Sequence, residues 1–269
     1  MAGVSGRRAL VTGAGNAGGI GFAIAMALAA AGARVAITSN TARIFERRDA
    51  LSAFGSGHLA FVGDLTDAEQ ARAVLAQVRA TMGGVDILIN TAGLALLGHA
   101  EKPERIEAMA DDQWHHDLAI NLSTTFNMTR AMLPCMQHSR YGRIVNVASV
   151  SGPIVPIART AGNSTAKAGM VGLTRATAIE NADRGITCNA VLPGWIAPDN
   201  ASVSSNKAGS NMAASNMAAS NTAGKSTPAS RLGTPAEVAA ACVFLASDEA
   251  SHITGTCLIV DGGNSIVEM

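Results

Sequence analysis

A glycine-rich turn near the amino terminus has the composition and spacing of a phosphate-binding loop. Residues 12–21 read TGAGNAGGIG, in which Gly13, Gly15 and Gly18 satisfy the pattern G-x-G-x-x-G. Glycines let the backbone approach a pyrophosphate, and the amino terminus of a following helix supplies N–H donors and a favourable dipole. An apolar strand signal precedes this turn and an alanine-rich helix signal follows it. We therefore expect it to bind a dinucleotide; a glycine-rich turn without a ligand is the alternative.

A second group of candidate residues lies in the middle of the chain, where Ser149 is followed by Asn163 and Lys167. Residues four apart on a helix share a face, so we expect the side chains of Asn163 and Lys167 to point in the same direction. A carboxamide can donate a hydrogen bond, but it cannot release or accept a proton near neutral pH. Considered singly, Lys167 is equally well explained as a solvated helix residue and Ser149 as a residue at a strand end.

The pattern along the chain predicts how these residues are positioned. Short β-branched segments alternate with longer alanine-rich segments of helical period, which predicts βαβ units. The expected fold is α/β, a single Rossmann-type domain over residues 1–269 with a doubly wound parallel sheet, and its ligand lies beyond the carboxyl ends of the strands. Strands are expected near 8–12, 34–38, 59–62, 86–89, 143–147, 187–191 and 257–260. Helices are expected near 21–31, 67–82, 112–136, 161–181 and 235–247.

The composition indicates a large core and a surface of low charge. Hydrophobic residues make up 48% and charged residues 15% of the chain, and 20 Lys and Arg balance 20 Asp and Glu. This balance predicts neither a nucleic-acid partner nor binding to an anionic membrane. No signal peptide or transmembrane helix is expected. The four cysteines have no metal-ligand spacing, so we expect no metal site and interpret them as buried reduced thiols.

One segment does not fit the alternation. Residues 206–225 consist of four five-residue units, NKAGS, NMAAS, NMAAS and NTAGK. A period of five matches neither helix nor strand, and these residues offer little to bury, which favours an expanded surface loop. Its position after the sixth strand also allows a substrate lid, within an insertion at about 199–230. An engineered stretch is a third interpretation.

The motifs together resemble those of the short-chain dehydrogenase/reductase family, in particular its 3-oxoacyl-ACP-reductase-like members. The family carries T-G-x-x-x-G-x-G in its first turn, and residues 12–21 match it if two extra residues are allowed. Residues 90–93, NTAG, resemble the family's N-N-A-G turn, and Pro193 and Gly194 resemble its P-G turn. The resemblance extends from Ala9 to Gly263, apart from the repeat segment.

The resemblance implies a nicotinamide cofactor and a set of residues that bind it. Pro198 replaces the threonine that the family carries after the P-G turn, so one contact to the cofactor amide is absent. The cofactor-binding residues implied are Gly13, Gly15, Gly19, Ile20, Gly21, Ser39, Asn40, Thr41, Asp64, Leu65, Asn90, Ala92, Gly93, Lys167, Pro193, Gly194 and Ile196.

The end of the second strand bears on the choice between NAD(H) and NADP(H). An acidic residue there would bind the ribose 2′-hydroxyl and repel a 2′-phosphate. The chain instead has Ser39, Asn40 and Thr41 with Arg43 nearby. Hydroxyl and amide donors beside an arginine favour NADP(H) over NAD(H), although Arg43 is also explained as a solvated helix residue.

The resemblance also assigns the catalytic positions. In the family a serine polarises the carbonyl, a tyrosine donates the proton, a lysine holds the ribose and lowers the pKa of the tyrosine, and an asparagine organises a water relay. Ser149, Lys167 and Asn121 match the serine, lysine and asparagine, whereas Asn163 stands in the place of the tyrosine. The only tyrosine, Tyr141, is expected on the surface before the fifth strand and does not substitute for it.

Three functions are compatible with this pattern. The first is an NADP(H)-dependent oxidoreductase that transfers a hydride between nicotinamide and a small-molecule carbonyl, secondary alcohol or imine, with Asn163 orienting the substrate and water relayed through Lys167. The second is a dinucleotide-binding scaffold with impaired catalysis, which an engineered Tyr-to-Asn variant would also resemble. The third is a non-redox isomerase or lyase. The resemblance further implies a homotetramer, or a dimer, in the cytoplasm, with the long helices after the fourth and fifth strands in one interface.

Overall fold

The computed structural model describes residues 3–93, 104–197 and 227–266. In these ranges seven strands form one parallel sheet. They are β1 (Arg8–Val11), β2 (Arg34–Ser39), β3 (Leu59–Val62), β4 (Ile87–Asn90), β5 (Gly142–Val147), β6 (Ile186–Pro193) and β7 (Cys257–Val260). Their order across the sheet is β3-β2-β1-β4-β5-β6-β7. The predicted doubly wound Rossmann-type sheet is confirmed.

Helices connect the strands and cover both faces of the sheet. They are α1 (Ile20–Ala30), α2 (Ile44–Leu51), α3 (Ala68–Met82), α4 (Asp111–Leu118), α5 (Thr124–Ser139), α6 (Ala161–Asn181) and α7 (Pro235–Ala246). The sequence pattern missed α2, in which four of eight residues are charged. The single helix expected at 112–136 is divided by a π-helical turn, Ala119–Ser123, that joins α4 to α5.

Alternation along the strands separates two hydrophobic layers. In β1, Ala9 and Val11 pack with residues of α1 and α7, whereas Leu10 packs with residues of α3 and α5. Successive side chains of a strand point to opposite faces, so a strand covered on both sides is apolar throughout. This two-sided burial fixes the register of the central strands and therefore the position of the turns that follow them.

The cysteines differ from the sequence expectation at two positions. All four are free thiols, and Cys188 and Cys242 are buried, as expected. Cys135 and Cys257 are only partly buried, so the expectation that all four lie in the core was wrong for these two. No helix among the described residues has both the length and the apolar character needed to cross a membrane. The same residues contain no group of three or more His, Cys, Asp or Glu side chains that could hold a metal ion.

An ion pair joins the amino-terminal ends of β1 and β4. Two nitrogens of the Arg8 side chain donate to the carboxylate of Asp86 at 2.9 and 2.7 Å, and the Arg8 backbone N–H donates to it at 2.9 Å. Burial raises the pKa of Asp86, but these hydrogen bonds outweigh burial and hold the pKa below its usual value. The pair therefore stabilises the fold while Asp86 is ionised.

Asp86→Asn is expected to lower the free energy of unfolding by about 2 kcal/mol at pH 7, since hydrogen bonds to a charged group contribute roughly 1.5–3 kcal/mol. A carboxyl group whose pKa is lowered by folding contributes stability above its unfolded pKa and loses it as the pH falls. The difference between the two proteins should therefore shrink below about pH 4. Urea unfolding at several pH values measures it. Asp49→Asn, at an exposed ion pair with Arg48, is the control and should cost less than about 0.5 kcal/mol.

Tyr141 lies at the same end of the sheet. Its ring is between the guanidinium groups of Arg7 and Arg143, at 3.9 and 4.4 Å from the ring centroid. Its hydroxyl donates to Asp248 at 2.9 Å, and burial raises the pKa of the phenol to about 12. Tyr141 is thus half-buried rather than freely exposed, at the start of β5. Ser149 follows the other end of β5, eight residues further along the chain, which corresponds to about 26 Å at roughly 3.3 Å per residue.

Candidate functional site

The glycine turn after β1 packs directly against the turn after β4. Gly13 has a positive φ of 69°, and a Cβ atom there would lie 2.7 Å from the backbone nitrogen of Ala92. A Cβ atom at Gly21 would lie 2.6 Å from both the carbonyl oxygen of Gly13 and Oγ1 of Thr91. Both glycines are therefore required by a close approach of the two turns.

Two threonines hold the two turns together. Oγ1 of Thr12 accepts hydrogen bonds from the backbone N–H groups of Thr91 and Ala92, at 3.1 and 3.2 Å. The hydroxyl of Thr91 donates in return to the carbonyl oxygen of Thr12. This reciprocal pairing connects residues 79 positions apart in the chain. The positions of both turns are thus fixed before any ligand is bound.

A cleft of about 160 Å³ opens at the carboxyl ends of the strands on this side of the sheet. The structure brings together nine of the predicted cofactor residues along it: Gly13, Gly15, Ser39, Asn40, Thr41, Asp64, Leu65, Ala92 and Gly93. Arg43 lines it as well. Residues that the sequence pattern missed are Asn16, Gly63, Thr66, Ile120 and Thr124. Most of these are neighbours of predicted residues in the same turn, and Thr124 is one helical turn after Ile120.

The end of the cleft near β2 is formed by a turn of polar residues. The hydroxyl of Ser39 donates to the carbonyl oxygen of Thr41 at 3.0 Å and accepts from the Thr41 N–H at 3.2 Å. Arg43 is exposed and forms no ion pair with any described residue. Asp64 accepts hydrogen bonds from the N–H and hydroxyl of Thr66, at 2.9 and 2.7 Å. Its carboxylate is therefore engaged within its own turn, while Arg43 can bind an anion.

Asn121 lies in the π-helical turn and contacts the second of the two turns. Its side chain is 1% exposed, and its amide group donates to the carbonyl oxygen of Asp117 at 3.1 Å. Its Oδ1 has no hydrogen-bond partner among the described residues. A Cβ atom at Gly93, where φ is 132°, would lie 2.8 Å from that oxygen. Single π-helical turns inside α-helices are frequent at functional sites, and this one directs Asn121 to the β4 turn.

Helix α6 and strand β5 bring the other three predicted catalytic residues to the same edge of the sheet. Lys167 is only 2% exposed, and its Nζ donates to the carbonyl oxygen of Val147 at 3.4 Å. Val147 ends β5, two residues before Ser149, whose Oγ accepts from the Ser151 N–H at 3.0 Å. Asn163 lies one helical turn before Lys167 and is partly buried. The site thus has a hydroxyl, an ammonium group and amides, but Tyr141 lies at the opposite end of β5.

The remaining predicted cofactor residues lie outside the cleft. Gly19 and Ile20 begin α1. Pro193 ends β6; Gly194 donates its N–H to Val260 at 3.0 Å, and Ile196 forms an isolated bridge with Gly233. These residues border the same edge of the sheet as Ser149. Pro198 and the repeat segment 206–225 lie outside the described residues, and only 227–230 of the predicted insertion are within them.

Asn90, another predicted cofactor residue, does not line the cleft and instead belongs to a buried hydrogen-bond network. Its amide group donates to Asn146 at 2.8 Å and to Thr129 at 3.2 Å, and the Asn146 amide donates to Thr174 at 2.9 Å. This buried chain of polar groups connects β4, β5 and α6, which carry the candidate site. Removing one partner would leave a buried group unsatisfied, at a cost of roughly 1–3 kcal/mol.

Sequence comparisons agree with this geometry. A family model described as enoyl-(acyl carrier protein) reductase matches residues 13–265. The 3-oxoacyl-[acyl-carrier-protein] reductase FabG of Salmonella typhimurium is 39% identical over 267 residues, which cover 97% of this chain and 98% of that protein. Nodulation protein G of Azospirillum brasilense is 37% identical, and the matched residues cover 95% of this chain and 96% of that protein.

Solved structures agree as well. A Sinorhizobium meliloti protein described provisionally as a short-chain alcohol dehydrogenase superposes with a TM-score of 0.81, at 33% identity and with 97% and 96% of the two chains covered. An Agrobacterium tumefaciens protein described provisionally as a gluconate dehydrogenase gives a TM-score of 0.85, at 30% identity and with 98% of each chain covered. The chain shares the fold of these structures, and a family model matches nearly its whole length. Together with the two linked turns, these findings show that the chain belongs to the short-chain dehydrogenase/reductase family of oxidoreductases.

Proposed function

We propose that the chain is an NADP(H)-dependent reductase of a small molecule that contains a C=O or C=N bond. The observation that carries the proposal is the cleft, which combines a glycine turn, a polar end at Ser39 and Thr41 that is bonded within its own turn, and the exposed Arg43. The names of the FabG relatives, which specify a 3-oxoacyl-[acyl-carrier-protein] substrate, support a ketone as one substrate class.

The residues present fit NADP(H). Gly13 and Gly21 let the glycine turn lie directly against the β4 turn, because a Cβ atom at either position would meet protein atoms there. The N–H groups of the turn and the amino terminus of α1 are suited to the negative phosphates. Arg43 is suited to a 2′-phosphate because guanidinium binds phosphate in a planar, bidentate way. When bound, the cofactor supplies a hydride to the substrate.

The chain's own residues then have distinct tasks. The Ser149 hydroxyl donates a hydrogen bond to the substrate oxygen and stabilises the charge that develops there. Lys167, held by the Val147 carbonyl, binds the ribose and orders a water molecule that delivers the proton. Asn163 orients the substrate through its amide but holds no proton to transfer. Asn121 supports the turn after β4 that carries Gly93.

A second function is favoured by one residue. With asparagine at position 163 the site lacks a general acid there, and a positioned acid typically contributes about 10²–10⁴-fold in rate. A dinucleotide-binding scaffold with impaired catalysis would therefore have the same cleft and the same Asn163. Ser149, Lys167 and Asn121 distinguish the two, because a scaffold has no need of all three.

The test combines cofactor binding with turnover. NADPH and NADH binding are measured by calorimetry, and NADPH oxidation is followed with ketones, β-ketoesters and imines for the wild type, Ser149→Ala and the surface control His138→Ala. We expect tighter binding of NADPH than of NADH, measurable turnover, and a loss of turnover in Ser149→Ala alone. NADPH binding without turnover of any substrate would establish the scaffold instead. Failure to bind either nucleotide would refute both.

We also propose that α5 and α6 form a subunit interface of a homotetramer or dimer. Two apolar side chains are exposed on these helices, Phe126 on α5 and Ile179 on α6, the latter 82% exposed. The Arg130 guanidinium lies over the Phe126 ring, 4.7 Å from the ring centroid. Ile179 is therefore the less protected of the two apolar side chains. An exposed apolar group on a long helix is stabilised when a second copy covers it.

Ile179→Glu is therefore expected to shift the chain toward a smaller assembly, because it places a charge in a desolvated contact. Size-exclusion chromatography with light scattering measures the mass at several concentrations. Ile106→Glu, another exposed isoleucine, is the control and should leave the mass unchanged. An unchanged mass for Ile179→Glu would contradict the interface on α6.

A further inference from the structure

A buried carboxylate lies beside the candidate site and has no role in the reaction as described. Asp117 on α4 is 7% exposed. Its Oδ1 accepts from the side-chain amide of Gln113 at 2.7 Å, and Oδ2 accepts no hydrogen bond from the described residues. No lysine, arginine or histidine among those residues forms an ion pair with it. Its hydrogen-bonding partner is therefore neutral, which is uncommon for a buried acid.

The carboxylate is in contact with the first turn of α6. A Cβ atom at Gly162 would lie within 3.0 Å of the carboxyl carbon of Asp117 and still closer to Oδ2. Only glycine at this position leaves room for the acid. Gly162 directly precedes Asn163, and consecutive Cα atoms are about 3.8 Å apart. Asn121, one helical turn after Asp117, donates its side-chain amide to the Asp117 carbonyl oxygen, so Asp117 contacts one site residue and the neighbour of another.

Asp117 lies beside the first turn of α6. The 21-residue helix α6 begins at this point, and Thr160 makes no side-chain hydrogen bond that caps it. The partial positive charge of a helix amino terminus stabilises a nearby anion. The site on α6 also carries Lys167, so a carboxylate contacts the residue before Asn163 and an ammonium group lies one helical turn after it. A substrate with a positive charge is attracted by the first and repelled by the second.

We propose that Asp117 is a specificity-determining residue that makes the site favour a cationic C=N substrate, an iminium ion or protonated imine, over a neutral ketone; the proposal rests on the reductase function above. An iminium needs no acid at position 163. A hydride from the reduced nicotinamide forms the new C–H bond at the iminium carbon, the C=N π pair becomes the nitrogen lone pair, and the nicotinamide is oxidised. The step is balanced without a proton.

The magnitude of this effect follows from Coulomb's law. Two unit charges about 7 Å apart at an effective dielectric constant of ~20–40 attract enough to change an equilibrium or rate constant roughly 10- to 50-fold. A neutral ketone of the same shape has no such interaction. Asp117 acts through space here, as a positioning charge rather than as a group that exchanges atoms with the substrate.

The experiment compares Asp117→Asn with the wild type on two substrates of one ring size, N-methylpyrrolinium and cyclopentanone. The asparagine keeps an acceptor for Gln113 and removes only the charge. Asp112→Asn, at an exposed acid on the same helix, is the matched control. We expect kcat/KM for the iminium to fall about 10- to 50-fold in Asp117→Asn, while the ketone changes less than about threefold and NADPH affinity is retained. Asp112→Asn should behave as the wild type.

A binding measurement makes the result independent of turnover. The affinity of protonated N-methylpyrrolidine for the NADP⁺ complex is measured by calorimetry, and it should weaken about tenfold in Asp117→Asn alone. Equal losses for iminium and ketone, or unchanged affinity for the ammonium ion, would overturn the specificity role and leave Asp117 as a structural contact of α6. Absence of turnover for both substrates would refute the reductase function, whereas the ammonium affinities would still decide the role of Asp117.

Discussion

Asn163→Tyr is expected to raise kcat for ketone reduction by about 10²–10⁴-fold, the contribution of a positioned general acid. The residue lies on the same face of α6 as Lys167, one turn earlier, and the ammonium group of that lysine would lower the pKa of a neighbouring phenol. NADPH oxidation with ketones and β-ketoesters measures the gain. The affinity for NADPH should change little, because residue 163 does not line the nucleotide cleft.

Asn163→Phe separates the hydroxyl from the size of the ring. It fills the same space without a proton to donate and should therefore give no gain with ketones. The rate of iminium reduction should be the same with tyrosine or asparagine at position 163, since this reaction needs no acid. If the tyrosine leaves ketone reduction unchanged, the chain has another proton route and Asn163 belongs to a working site.

Arg43→Glu should raise the KM for NADPH by about two orders of magnitude and leave the KM for NADH within about threefold. The substitution replaces a cation at the β2 end of the cleft by an anion, and two like charges about 5 Å apart at an effective dielectric constant of ~20 repel by about 3 kcal/mol. Arg43 forms no ion pair with a described residue, so its removal should cost little stability.

Arg48→Glu is the matched control. It lies on α2, changes the net charge by the same amount and does not line the cleft. Steady-state kinetics with both nucleotides at low and high salt would show whether the effect of residue 43 is electrostatic, since screening should reduce it. Equal losses with NADH and NADPH would contradict a 2′-phosphate site at Arg43.

The sequence predicted the sheet well because burial on both faces of the central strands leaves a simple signal. The predicted strands 59–62 and 257–260 have the bounds of β3 and β7, and the others differ by a few residues at their ends. Helix α2 gave no such signal, since its exposed face carries charged residues such as Glu46 and Asp49 and only its ends, Ile44 and Leu51, are buried. Its existence depends on packing against the sheet rather than on its own pattern.

The sequence predicted the site residues that belong to local motifs, but not the contacts between segments that are distant in the chain. Gly13 and Ala92 follow from their turns, but the reciprocal bonding of Thr12 and Thr91 connects positions 79 apart. The π-helical turn at Asn121 adds a hydrogen-bond register that hydrophobic periodicity does not encode. The contact of Asp117 with Gly162 was missed for the same reason. The two residues are distant in the chain, and neither local sequence indicates that a buried acid faces a glycine.

The position of Tyr141 has a spectroscopic consequence. It is the only tyrosine of the chain, and the two tryptophans are Trp114 on α4 and Trp195 after β6. The tyrosine contribution to near-UV absorbance and dichroism therefore reports on the packing of Arg7, Asp248 and the amino-terminal ends of the strands. Tryptophan emission instead reports on the opposite end, where a bound reduced nicotinamide would accept energy from Trp195. Loosening of one end and ligand binding at the other can thus be followed in one sample without an added label.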